Sequence, residues 1–168
     1  GSSVDVLELT QPWAVEALDL SGYERRTSQD DRFRVGYFAR IAPEKGLHAL
    51  ADAYALFRQR TAGSPVRLEA AGYLSRADEP YLDGVRRSLD HAGLAGEFTY
   101  HGAVDRHGKL AFLKSLDVLS VPATYDEPKG VFLLEAMASG VPVVQPRRGA
   151  FTEVVERTGG GLLVAPDD

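Results

Sequence analysis

Apolar residues along the chain follow two alternating rhythms. FRVGYF (33–38), VRLEAAG (66–72), FTYHG (98–102), DVLSVP (117–122), VPVVQP (141–146) and GLLVA (161–165) are short, mostly apolar runs, and each predicts a strand. Between them the spacing changes to three and four. Leu47, Leu50, Ala51 and Tyr54 fall on one helical face, and Leu82, Val85, Leu89 and Ala92 on a second, closed by Gly93. Leu110, Leu113 and Leu116 mark a short third helix. VFLLEAMASG (131–140) predicts a fourth, and FTEVVERTGGG (151–161) a last helix and turn.

Strand and helix thus alternate about six times, the pattern of right-handed crossovers onto one parallel sheet. The expected fold class is α/β: a doubly wound parallel sheet of about six strands, Rossmann-like, with strands apolar enough for burial on both faces. Ligands of such sheets sit at the carboxyl ends of the strands. The segments that matter are therefore 39–46, 72–78, 102–107, 122–130 and 146–151.

Composition narrows the choice. The 168 residues suit one domain, and 44% hydrophobic with 26% charged is an ordinary globular mix. A net charge of −5 with no long basic run counts against nucleic acid as partner. No apolar stretch reaches the roughly 18 residues of a membrane helix. Without cysteine, disulfides, thiolate catalysis and cysteine metal sites are excluded. The start, GSSVDV, carries no secretory pattern, so a cytoplasmic location is expected. Residues 1–31 read as a tag remnant and linker, and 32–168 as the domain proper. The closing Pro-Asp-Asp introduces a helix, so further C-terminal helices are expected beyond a truncation.

Four loops are candidates for chemistry. In ARIAPEKG (39–46), Pro43 suits the first position of a helix, and Lys45 lies in its first turn, where the helix dipole disfavours a cation. A lysine there is explained by an anion nearby, which Arg40 can approach as well; two solvated surface cations is the alternative. In DEPKGVFLLE (126–135), Gly130 precedes a helix whose free N–H groups at Gly130, Val131 and Phe132 form a natural phosphate site, with Lys129 adding charge. Glu135 lies one and a half turns in, amid an apolar run, and Glu127 lies in the preceding loop, on the order of 10 Å away. That spacing is wide for a glycosidase acid pair and suggests two clamps on a long ligand with a charged middle. A solvent-exposed Glu135 is the alternative. Gly149 and Ala150 can present backbone N–H groups before a short helix, Arg147 and Arg148 read as surface charges, and Gly102 to Val104 can line a flat pocket. The four histidines have no metal spacing, and His101 reads as structural. Serine-hydrolase, P-loop and dinucleotide fingerprints are absent.

ARIAPEKG, HGAVDR, DEPKGVFLLEAMASGVPVV, GAFTEVV and GGGLLVAPDD, in that order from about residue 33 to the end, resemble the C-terminal donor-binding domain of GT-B retaining glycosyltransferases of family 4. The resemblance implies one half of a GT-B fold and a nucleotide-diphospho-sugar donor, a UDP- or GDP-sugar, as substrate, with no cofactor and no metal. It assigns Glu127 to the transferred sugar, Glu135 to the ribose hydroxyls, and Arg40 and Lys45 to the diphosphate. Gly102 and Val104 would line the base pocket, and the amides of Gly130–Phe132 and of Ala150 and Phe151 would complete the cradle. Lys129 departs from the family, which often has phenylalanine there, and implies a more polar sugar pocket. The family's acceptor-binding N-terminal domain is missing from this chain, so the isolated domain is expected to transfer nothing. Rival readings are a non-catalytic nucleotide-sugar-binding module and a nucleotide-sugar epimerase.

Overall fold

A computed structural model describes Gly22 and residues 30–166. The expected tag remnant, most of the linker and the last two aspartates lie outside the described residues. Six strands form one parallel sheet: β1 (Phe33–Phe38), β2 (Val66–Ala71), β3 (Phe98–Tyr100), β4 (Val118–Leu119), β5 (Val143–Pro146) and β6 (Gly161–Val164). Five helices connect them: α1 (Leu47–Arg60), α2 (Glu79–His91), α3 (Arg106–Ser115), α4 (Val131–Ala138) and α5 (Gly149–Thr158).

The strand order is β3-β2-β1-β4-β5-β6. Chain direction across the sheet reverses between β1 and β4, the topological switch point of a Rossmann-like fold. Helices α1 and α2 bury Leu47, Leu50, Tyr54, Leu82, Val85 and Leu89 against β1 and β2. Helices α3, α4 and α5 bury Phe112, Leu113, Leu133, Ala136, Phe151 and Val154 against the other face. The two layers follow from the alternation of side chains along each strand. Leu68 and Ala70 of β2 join the first cluster, while Ala71 joins the second.

Three boundaries differ from expectation. The run 117–122 is a strand only at Val118–Leu119: Ser120 N–H still donates to Gly36 C=O at 2.9 Å, but at Val121 a side chain takes over, the buried amide of Gln145 on β5 accepting from Val121 N–H (2.7 Å) and donating to Val121 C=O (2.9 Å). Ala92 is exposed, since α2 ends at His91 and the chain turns through Gly93 at φ 74°. Pro43 does not begin α1. It opens a separate 3-10 turn, Pro43–Lys45, closed by Gly46 at φ 80°.

Gly46 is required twice over. Its positive φ suits glycine, and a Cβ there would stand 2.0 Å from the Pro122 carbonyl oxygen. The loop after β1 thus rests directly on the loop after β4, and Thr124 N–H donates to Glu44 C=O at 2.9 Å.

Candidate active site at the head of the switch point

Because β1 and β4 are neighbours, the segments leaving their carboxyl ends meet. Lys45, from the first, reaches Glu127, from the second: Nζ to Oε2 is 2.9 Å. Tyr125 joins them. Its hydroxyl donates to the same Glu127 oxygen at 2.5 Å and accepts from Lys45, whose ammonium lies 5.0 Å from the centre of the Tyr125 ring. The expected anion beside Lys45 is therefore present within the protein itself. The helix-dipole argument for it does not apply, since Lys45 ends a 3-10 turn instead of opening α1.

Glu127 is only 9% exposed. Burial pushes its carboxyl up, but the hydrogen bonds from Tyr125 and Lys45 outweigh burial and hold it below the ordinary 4.5. Burial alone would lower Lys45; its bonds to Tyr125 and Glu127 raise it above 10.5. Burial and the neighbouring carboxylate both raise the Tyr125 phenol above 10.0. All three shifts favour a charged ammonium, a charged carboxylate and a neutral phenol.

Arg40 leaves the end of β1 and lies half-exposed, paired with Glu44. Surface pairs of that kind contribute little and rearrange easily. Glu135 is on the buried side of α4, 7% exposed, which settles the choice against a solvated helix residue. Its carboxylate accepts from Lys109 of α3 at 2.6 Å. Lys109 and Tyr125 were not anticipated from sequence. The Leu110, Leu113 and Leu116 stripe drew attention away from Lys109, although a buried glutamate calls for a cation.

Gly130 caps α4 in the left-handed region at φ 60°. Val131 and Phe132 follow it half-buried at the head of the helix, while Lys129 is exposed. Two expected donors are already committed: Ala150 N–H donates to Glu127 C=O (2.8 Å) and Phe151 N–H to Arg148 C=O (3.1 Å). Ala150 thereby pins the Glu127 loop. Gly149, at φ 47°, leaves no room for a Cβ, which would stand 2.6 Å from the Glu127 carbonyl oxygen. Phe151 instead packs its ring on Phe132, with centroids 5.8 Å apart. Gly102 accepts from Gly72 N–H at 3.0 Å and faces open space, and Val104 packs on the core beside it.

Other polar groups have structural explanations. His101 lies 2.6 Å from the buried Glu69 carboxylate and edge-on to Phe112. Arg147 pairs with Glu156. An apolar cavity of about 320 Å³ lies between α1 and β4–β6, lined by Val35, Ala53, Val118, Val144 and Val164, but none of Lys45, Glu127 and Glu135 lines it. Among the described residues no group of three or more His, Asp or Glu could hold a metal ion, and no helix is long and apolar enough to cross a membrane.

The sequence is similar to known proteins over most of its length. The family model of glycosyl transferases group 1 matches residues 24–168. A GDP-mannose-dependent alpha-(1-6)-phosphatidylinositol monomannoside mannosyltransferase of Mycobacterium tuberculosis is 30% identical over 146 residues, covering 83% of this chain and 36% of that protein. A phosphatidyl-myo-inositol mannosyltransferase of Mycobacterium leprae is 36% identical over 126 residues, 75% of this chain and 31% of the relative. The chain thus spans about a third of the length of these relatives. HepE of Anabaena, solved with UDP and glucose, superposes with a TM-score of 0.73 at 28% identity, over 82% of this chain and 36% of that one. The C-terminal domain of a group 1 glycosyl transferase (LpcC) from Francisella tularensis shares the fold, with a TM-score of 0.76 at 20% identity over 90% of this chain and 81% of that one. The chain with Lys45 on Glu127 at its switch point belongs to the glycosyl transferases group 1 family.

Proposed function

We propose that this chain is the nucleotide-sugar-binding part of a retaining glycosyltransferase that works without a metal. The meeting of Lys45 and Glu127 across the switch point, beside the N-terminus of α4, carries the reading. In it, Glu135 accepts from the ribose hydroxyls and Glu127 from the transferred sugar. Gly102 and Val104 line the base pocket, and Lys129 borders the sugar. The diphosphate lies between, against Arg40, Lys45 and the first N–H groups of α4 at Gly130, Val131 and Phe132.

Transfer breaks the bond from the sugar's anomeric carbon to the phosphate oxygen, whose electron pair stays on the diphosphate. An acceptor hydroxyl oxygen forms the new bond on the same face, and its proton passes to the leaving phosphate. Charge therefore grows on the diphosphate as the bond breaks. Fixed cations and helix N–H groups aimed there stabilise the transition state more than the bound substrate. The acceptor would be held by a part of the protein outside these 168 residues, so the isolated chain binds donor and transfers nothing.

Calorimetric titration with UDP, GDP and ADP tests the reading. One of them is expected to bind, equally well with a chelator present, and Glu135→Gln is expected to weaken it about tenfold. No binding at millimolar concentration would refute the reading. The anomeric configuration of the product of the full-length protein, read by NMR, tests retention.

A further inference from the structure

Lys45 and Glu127 serve different parts of the proposed donor, the diphosphate and the sugar, yet in this structure they hold each other. A diphosphate that draws Lys45 away removes one of the two side-chain donors on Glu127 Oε2. With 9% of the residue exposed, water does not readily replace a lost donor. The Tyr125 hydroxyl is the other donor, and it stays. Its ring packs against the cluster formed by α3, α4 and α5, so the phenol cannot follow the lysine.

We infer that Tyr125 is a positioning residue for the sugar end of the donor. Its hydroxyl holds the Glu127 carboxylate in place once Lys45 has turned to the diphosphate. The inference rests on the donor-site reading above. Lys45 comes from the turn after β1, while the Tyr125 phenol and the Lys129 backbone N–H, which also act on the carboxylate, come from Glu127's own loop. Withdrawal of the first leaves the last two to aim it.

The test is a titration of the 168-residue chain with UDP, UDP-glucose, GDP and GDP-mannose, in the wild type, Tyr125→Phe, Glu127→Gln and the double variant. The wild type is expected to bind one sugar nucleotide more tightly than the matching nucleoside diphosphate. Tyr125→Phe is expected to lose about tenfold in affinity for the sugar nucleotide and less than about twofold for the diphosphate. Retained diphosphate binding also shows that the variant is folded. In the Glu127→Gln background, Tyr125→Phe is expected to change nothing further, because it acts through that carboxylate.

Equal loss of both ligands, or an additive double variant, overturns the inference. So does a wild type that binds both ligands alike. A wild type that binds sugar nucleotide selectively while Tyr125→Phe matches it refutes Tyr125 alone. A wild type that binds none of the four ligands refutes the donor site and this inference together.

Discussion

Lys109→Met removes the ammonium that meets the buried Glu135 carboxylate. The contact is 2.6 Å, with Glu135 7% exposed. Removing one partner of a buried pair costs about 3–5 kcal/mol. The Lys109 side chain is 21% exposed, however, so water screens part of the loss, and methionine refills the volume of the stem. A cost of about 2 kcal/mol is expected, and at about 2–4 °C per kcal/mol for a domain of this length Tm falls by about 4–8 °C. Glu135→Gln keeps an oxygen facing Lys109 and should cost about 1 kcal/mol. In Lys109→Met with Glu135→Gln the buried negative charge is gone as well, so the double variant should recover about 1–2 kcal/mol relative to the sum. Thermal and urea unfolding followed by circular dichroism measure all four proteins. A Lys109→Met protein within about 0.5 kcal/mol of wild type, or a strictly additive cycle, would show that Glu135 does not depend on this ammonium.

Two further outcomes follow from buried polar groups. Gln145→Leu strips hydrogen bonds from the N–H and C=O of the fully buried Val121. The C=O still accepts from Ala123 N–H at 2.8 Å, so the N–H alone is left unpaired, and a loss of about 1–3 kcal/mol in urea unfolding is expected, less whatever the leucine regains by packing. Stability should also depend on pH through Glu127, whose folded carboxyl is held below 4.5. A depressed carboxyl contributes stability that is complete above its ordinary value and is lost as pH falls through the folded one. Acidification below 4.5 should therefore destabilise the wild type more than Glu127→Gln, read as the shift of the urea midpoint with pH. Lys45 and Tyr125, raised above 10.5 and 10.0, give the opposite limb, present below those values and lost as pH rises past them.

The sheet was legible because β1 and β2, each paired on both sides, run for six mostly apolar residues. FRVGYF runs from Phe33 to Phe38 in sequence and in structure alike, and all four stripe residues of α1 are buried. β4 was overdrawn because an apolar run does not reveal whether backbone or a side-chain amide satisfies it. Glu127 and Glu135 stood out as carboxylates in unsuitable company. Lys45 stood out as well, but not as the partner of Glu127, which is distant in sequence and brought in by the strand order; Lys109 did not stand out at all. The committed amides of Ala150 and Phe151 illustrate the same gap. A glycine before a helix signals close approach, but not whether a ligand or the protein's own Glu127 loop approaches.

Gln145 has a consequence for how this domain can change. At Val121 the sheet's hydrogen bonding passes from backbone to one side chain, so the loop from 122 to 130 starts from an amide instead of from a ladder and is held further on where Thr124 meets Glu44 and Ala150 meets Glu127. Residues can be inserted into or rewritten along that loop while the strand order and the anchoring point stay as they are. In the donor-site reading, a scaffold with such a hook can be refitted for a different sugar without being rebuilt.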